Sequence, residues 1–246
     1  MKQSRRDFIR RSVLAGAGTL AATSAVAGLV QTAAPPRRRR VTVGGRAVRT
    51  VDVHAHTAVP SALVDIVRGT PLEPAVRAQL TGNLVMSEAR LRAMDEQGID
   101  VEVLTINPYW YSADRELSAR LIPAQNAALA AEVAARPDRF VALATVSLQH
   151  PDLAAQQLDD AFRQHGMRGV GIGATVAGAE LAAAKFDPFW AKAEALGAMV
   201  FMHPAGVPEL RERLEGNGFL GNVIGNPLET TIALAHLIFE GTLDRY

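Results

Sequence analysis

From residue 47 onward, short runs of β-branched and aliphatic residues alternate with longer stretches whose apolar positions recur every three or four residues. The first run, Ala47-Val48-Arg49-Thr50-Val51-Asp52-Val53, predicts a strand that ends at His56. A connection over 57–85, carrying Pro60, Pro71 and Pro74, leads to a helix predicted over 87–97, where Leu91 and Met94 recur at helical spacing and Gly98 suits the C-terminal cap. Val101 to Ile106 is a second strand, and Asn107-Pro108-Tyr109-Trp110-Tyr111 follows it. A long helix is expected from about Asp114 to Ala135, stopped by Pro137. The third strand, Phe140 to Val146, is continuously apolar, as strands buried on both faces tend to be. A helix over 152–165 ends at Gly166, and Arg168-Gly169-Val170-Gly171-Ile172-Gly173 reads as a fourth strand. Asp187-Pro188 opens the next helix as N-cap and first helical residue, and Gly197 closes it. Ala198 to His203 is the fifth strand. The last helix starts at Asn226-Pro227-Leu228-Glu229, an N-cap with Glu at the capping-box position, and Leu234, Leu237, Ile238 and Phe239 form its expected buried face.

Strands that alternate with helices predict an α/β fold with a parallel sheet. No Gly-x-Gly-x-x-Gly leads from a strand into a helix, which weakens a nucleotide-binding, doubly wound sheet; Gly169 to Gly173 has the wrong spacing. A (β/α)8 barrel suits the polar residues better. His56, the Pro-Tyr-Trp-Tyr cluster and His203 all follow C-terminal strand ends, the face on which barrels build their sites. At roughly 40 residues per unit the chain holds about five units, so the expectation is an incomplete TIM barrel, the front of a longer one. Its first and fifth strands would then be unpaired edges.

Composition narrows the chemistry. There is no cysteine, so a metal would have to be held by histidine and carboxylate. The formal charge of +1 hides an uneven distribution: Lys2, Arg5, Arg6, Arg10 and Arg11 oppose only Asp7 in the first 27 residues, and the remainder carries a net −3. Such a near-neutral surface gives no reason to expect nucleic acid as partner. Residues 35–46 read as a basic linker, in which Arg37 to Arg40 would be a solvated run. Ser4-Arg5-Arg6-Asp7-Phe8-Ile9-Arg10 resembles a twin-arginine export signal. It is followed by an Ala- and Gly-rich stretch to Ala34 with Ala25-Val26-Ala27 as a cleavage site. Ala, Gly, Thr and Ser dilute that stretch below what a transmembrane helix needs. The expectation is therefore signal and start of linker over 1–34, handling by the twin-arginine translocase, a periplasmic or otherwise exported protein, and barrel over 47–246.

The chemical signal is His54-x-His56. Side chains two apart on a strand point to one side, so two imidazoles are presented together, with Asp52 preceding them in the same alternation. Neutral imidazole is a common ligand of zinc. His203, ending a hydrophobic strand, is the third candidate ligand. Tyr109, Trp110 and Tyr111 are candidates to stack on a planar substrate; packing of their loop on the barrel rim is the other reading. His150, His165 and His236 lie on or beside helices away from this face, and Trp190 reads as core.

Two histidines from the first strand and one from the fifth resemble the metal site of the amidohydrolase superfamily. Asn226 to Thr231 running into Leu237-Ile238-Phe239-Glu240-Gly241, with Pro137-Asp138-Arg139-Phe140 and Arg168-Gly169-Val170, resembles more closely the aminocarboxymuconate-semialdehyde and γ-resorcylate decarboxylase group. The resemblance implies a metal-dependent, non-oxidative decarboxylase acting on an aromatic or conjugated carboxylic acid, with His54, His56 and His203 on zinc, or manganese as alternative, and no organic cofactor. It also implies an acid/base histidine after strand six and an aspartate after strand eight, both expected beyond Tyr246, which would leave this stretch alone inactive. The substrate-carboxylate arginine of the group has no clear match in Arg68 or Arg77. A metal-dependent hydrolase of amides or lactones is the alternative, although the fourth strand lacks the lysine that commonly marks two-metal hydrolase sites. A non-catalytic exported binding protein is the second alternative. A small-molecule substrate is the expected partner, and a homodimer is compatible with the sequence.

Overall fold

A computed structural model describes residues 38–58, 63–80, 84, 86–216 and 219–246. The signal-like stretch and the start of the basic linker lie outside the described residues. Arg38, Arg39 and Arg40 are exposed, and the first two are anchored. The Arg38 guanidinium pairs with the Asp100 carboxylate at 3.0 Å, and the Arg39 backbone N–H donates to the Asp95 backbone carbonyl at 2.9 Å. The rest of the expected linker forms a hairpin of β1 (Thr42–Val43) with β2 (Arg46–Ala47), turned by Gly44 and Gly45 at φ +56° and +77°. Two successive positive φ angles suit a tight turn matching the strand twist, and glycine adopts them without a Cβ clash. The run read as one strand from Ala47 is therefore split, and β3 spans Val51–His56.

Short helices α1 (Leu63–Val67) and α2 (Glu73–Gln79) follow, then α3 (Glu88–Gln97), whose N-cap Ser87 accepts from the Arg90 N–H at 3.2 Å and whose end is closed by Gly98 at φ +78°. β4 (Val101–Thr105) leads to α4 (Arg115–Ala135), capped by Asp114 on the Leu117 N–H at 2.8 Å. β5 (Phe140–Ala142) is shorter than its apolar run. Asn126 of α4 accepts from the Thr145 N–H at 2.8 Å and donates to its carbonyl at 3.0 Å, so a side chain replaces the strand ladder there. Then come α5 (Pro151–His165), β6 (Gly169–Gly173), the small hairpin of β7 (Thr175–Val176) with β8 (Ala179–Glu180), α6 (Asp187–Leu196), β9 (Met199–His203), the single turn α7 (Arg211–Leu214), α8 (Asn226–Phe239) and α9 (Thr242–Arg245).

β3, β4 and β5 pair in parallel, as do β6 and β9; one parallel bridge, Ala144 to Val170, joins the two groups. The parallel strands thus neighbour one another in chain order, with helices between them, as an α/β fold requires. The core lies between strands and helices: Leu104, Ala144, Val170 and Ile172 from the strands meet Leu121, Leu158, Phe186 and Phe189.

Two helix starts differ from expectation. A 3-10 turn over Ala184–Phe186 runs straight into α6, so Asp187 is already helical and does not cap. A π-helical turn over Gly221–Gly225 likewise precedes α8, and Asn226 with Glu229 forms no capping box. Nor is the expected apolar face of α8 buried as a whole. Ala233 and Leu237 are covered, whereas Leu234, Ile238 and Phe239 are exposed because no described element packs over them. Trp190 is core as expected, its indole N–H on the Leu181 carbonyl at 2.9 Å.

Candidate metal centre

His54 and His56 project together from the end of β3, and His203 ends β9, which is the last parallel strand on the other side of the sheet. Side chains 147 residues apart therefore meet. The Nε2 atoms of His54 and His56 are 2.7 Å apart and those of His56 and His203 3.0 Å, and one nitrogen from each of the three rings lies within 4.8 Å of the others. The rings pack at centroid distances of 4.7 to 5.0 Å, and Phe201 abuts His54 edge-on at 5.1 Å.

This donor set fits a divalent ion. A nitrogen sits about 2.0–2.1 Å from zinc, which in a tetrahedral shell places two nitrogens about 3.3 Å apart, within a few tenths of an ångström of the 2.7 and 3.0 Å spacings found here. The protonation state fits too. Burial, reinforced by the neighbouring imidazoles of His56 and His54, lowers His203 to about 4. Burial first, then His54 and Arg90, also lowers His56, with Asp52 acting weakly in the opposite sense. Both rings are thus neutral at pH 7, the form that ligates a metal.

Asp52 is not one of the clustered side chains. The β3–β4 register shifts between Asp52 and Ala55: Asp52 opposes Glu102, whereas His56 opposes Thr105. Glu102 pairs with Arg90 of α3 and lines, together with Asp52, His54 and His56, a cleft of about 560 Å³ beneath that helix. Thr105 points inward, toward Gly171 of β6. A bulge re-aims side chains on a strand, and here Asp52 stays outside the imidazole cluster while lining the same cleft as His54 and His56. The carboxylate instead accepts from the His54 N–H at 3.0 Å.

The glycines of β6 make the interior possible. A Cβ on Gly171 would meet Thr105 Oγ1 at 2.8 Å, and one on Gly173 would meet the Tyr111 ring at 2.9 Å. Tyr111 fills that space, its hydroxyl oxygen accepting from the Gly173 N–H at 2.9 Å. Tyr109 donates to Gln125 at 2.7 Å, and Trp110 is fully buried with its indole N–H on the Val146 carbonyl at 2.8 Å. Burial pushes both tyrosine hydroxyls well above their ordinary range. The three aromatics pack the loop onto the strand ends, so Trp110 presents no free ring face to a substrate. His150, at the start of α5, contacts the Ala113 carbonyl at 3.2 Å; His165 ends α5; His236 on α8 pairs with Glu240, which raises its pKa. None of them joins the cluster.

Two charged residues near the histidines escaped the sequence reading. Glu102 stands in the middle of an apolar strand, and a carboxylate there needs a buried partner, which was the available signal; Arg90 is that partner. Glu229, read as a capping residue, accepts from the backbone N–H groups of Ala205 and Gly206, two and three residues after His203, at 2.6 and 2.5 Å.

The amidohydrolase family model matches residues 51–246, and the chain belongs to that family. The gamma-resorcylate decarboxylase of Rhodococcus jostii strain RHA1 is 30% identical over 212 residues, covering 80% of this chain and 63% of that protein. The crystal structure of the 5-carboxyvanillate decarboxylase of Sphingomonas paucimobilis shares the fold, with a TM-score of 0.69 at 24% identity over 80% of this chain and 64% of that one. A dihydroxybenzoic acid decarboxylase of Polaromonas sp. JS666, solved with bound manganese and the inhibitor 2-nitroresorcinol, superposes with a TM-score of 0.65 at 26% identity, over 80% of this chain and 62% of that one. The chain therefore spans less than two thirds of the length of these relatives.

Proposed function

We propose that the protein is an exported, metal-dependent, non-oxidative decarboxylase of an aromatic or conjugated carboxylic acid. The observation that carries this reading is the convergence of His54, His56 and His203 at metal-ligand spacing in a chain whose relatives are decarboxylases. Zinc is the first choice for a three-imidazole set and manganese the alternative, the latter supported by the Polaromonas structure. A bound divalent ion supplies Lewis-acid polarisation and charge stabilisation at a substrate oxygen.

The chain's own residues supply the frame. His56 and His203, lowered by burial, are neutral at pH 7 and with His54 would hold the ion between β3 and β9. Tyr109 and Tyr111, kept as neutral phenols by burial, wall the strand ends with Trp110 behind them. The acid/base histidine and the aspartate that completes the metal shell are assigned to positions after Tyr246 in the whole protein. In the same reading β3, β4, β5, β6 and β9 are the first five strands of an eight-stranded barrel, supported by their consecutive order and by the open outer edges of β3 and β9. Export through the twin-arginine route is supported by Arg5-Arg6 and the small-residue stretch behind them.

The test is carbon dioxide release from a panel of hydroxybenzoates by the zinc- or manganese-loaded whole protein. Turnover that disappears in His203→Ala is expected. Hydrolysis of amides or lactones without carbon dioxide release would instead establish the hydrolase, and metal binding without any turnover the binding protein.

A further inference from the structure

We infer that Arg90 is a positioning residue for the metal centre: its guanidinium clamps the backbone carbonyl of His56 to the β4 carboxylate of Glu102 and so fixes the end of the strand that presents both His54 and His56. The inference rests on the reading of His54, His56 and His203 as metal ligands.

The Thr57 N–H donates to the Thr105 carbonyl at 3.0 Å, across the β3–β4 ladder. In a trans peptide the carbonyl of the same linkage points the opposite way, so the His56 oxygen faces the outer side of β3, where no strand pairs with it among the described residues. A backbone carbonyl there needs another donor. Arg90 provides it, Nη1 donating to the His56 oxygen at 2.9 Å, with a longer contact to the Leu84 carbonyl at 3.4 Å. The same guanidinium donates through Nε to Glu102 Oε2 at 2.7 Å, and both side chains are about nine-tenths buried, at 9% and 10% exposure. Arg90 itself is fixed in the first turn of α3, its N–H on the Ser87 cap.

The planar fork matters. Guanidinium donors diverge in one rigid plane, so a single side chain reaches a carboxylate on β4 and a carbonyl on β3 at once; an ammonium is a point charge and would have to choose. The loop after β3 is tied to the same point, since the Ala58 N–H donates to the Leu84 carbonyl at 2.8 Å. Groups that orient ligands from behind typically change metal affinity about 10- to 100-fold when removed.

The experiment is zinc affinity by chelator competition, with cobalt(II) absorption as a report on ligand geometry, for the wild type, His56→Ala, Arg90→Lys and the double variant Arg90→Met/Glu102→Leu. Arg90→Lys keeps a cation beside Glu102, and the double variant removes both charges together, so at least one variant is expected to fold, verified by circular dichroism. The expected result is wild-type binding of one ion, its loss in His56→Ala, and zinc affinity lowered about tenfold or more with altered cobalt bands in whichever Arg90 variants fold. Affinity within about twofold of wild type and unchanged cobalt bands in a folded Arg90 variant would overturn the clamp while leaving the metal reading intact. Failure of the wild type to bind zinc, or undiminished binding by His56→Ala, would overturn the metal reading and the clamp with it.

Discussion

The middle strands and the outer strands of the sheet are built for different purposes. Every residue of β4 and β6 is buried, including Glu102, which has its guanidinium, and the glycines that let opposing side chains in. On β3 and β9 most residues are exposed or half-buried; Val51, Val53 and Met199 each leave half or more of their surface open. Yet the outer strands carry all three histidines. Cohesion is thus concentrated in the middle of the sheet, and the chemistry on its margins. A metal held by His54, His56 and His203 would tie the two margins together.

The largest effect that tests this contrast is a pair of truncations. Leu104→Ala on β4 removes a fully buried side chain and should cost about 2–5 kcal/mol in urea unfolding. Val53→Ala on β3, a residue 59% exposed, should stay within about 0.5 kcal/mol. Equal costs would mean that the outer strand is covered in solution and would erase the contrast.

Zinc supplies the next largest. An ion held by His54, His56 and His203, from both margins of the folded sheet, would bind the native state far better than the unfolded chain. At a free concentration 100 times the dissociation constant it should stabilise by about 2.7 kcal/mol. A thermal-shift series should show the midpoint rise with zinc and fall again with a chelator, and His203→Ala should abolish the rise. A zinc shift that survives that substitution would place the ion elsewhere.

Glu229→Ala tests whether the β9 margin is held from behind. Two N–H groups, of Ala205 and Gly206, lose a charged acceptor, and hydrogen bonds to charged groups are worth about 1.5–3 kcal/mol where buried. Ala205 is exposed and water replaces part of that, so a cost of about 1 kcal/mol is expected, with faster proteolysis between residues 205 and 214. Unchanged cleavage would show that the loop after His203 needs no such support.

Much of this was legible along the chain, for identifiable reasons. Strands buried on both faces announce themselves by continuous apolar runs, and α3 by Leu91 and Met94 at helical spacing and by Gly98, whose capping is local chemistry. His54-x-His56 was legible because strand alternation is local too. What stayed hidden depended on contacts distant in sequence. The β3 bulge that shifts the register between Asp52 and the histidines is set by pairing with β4. The shortening of β5 is set by Asn126, 19 residues earlier. The Asn226–Glu229 box failed because Glu229 had a better pair of donors two dozen residues upstream. The apolar side of α8 predicted burial, but such a pattern states only what a helix could cover, not whether anything meets it. Of the aromatic residues at the strand ends, Trp110 is buried and Tyr111 packs over Gly173, contacts distant in sequence, while Tyr109 and Tyr111 stay half-buried.

The smallest effect lies on the outer layer, far from either margin. Arg115 of α4 and Asp152 of α5 form a two-pronged pair, with Nη1 to Oδ1 at 2.9 Å, and the hydrogen bonds from Arg115 hold Asp152 down at about 2. A carboxyl whose folded value lies below its unfolded value of about 3.9 contributes stability that is fully present above the unfolded value. That contribution is lost as pH falls from about 4 through about 2, when the proton displaces the guanidinium. Both side chains are more than half exposed, so solvent screens the pair and the contribution is slight. Asp152→Asn should therefore leave stability at pH 7 close to wild type and remove only a shallow part of the acid dependence below pH 4, read from urea midpoints taken from pH 5 down to pH 2. Raising the salt to 1 M should shrink the difference between the two proteins further. A wild-type midpoint with the same acid slope as the variant would mean that this pair, well formed as it is, belongs with the exposed margins of the sheet and adds nothing to the interior that holds the molecule together.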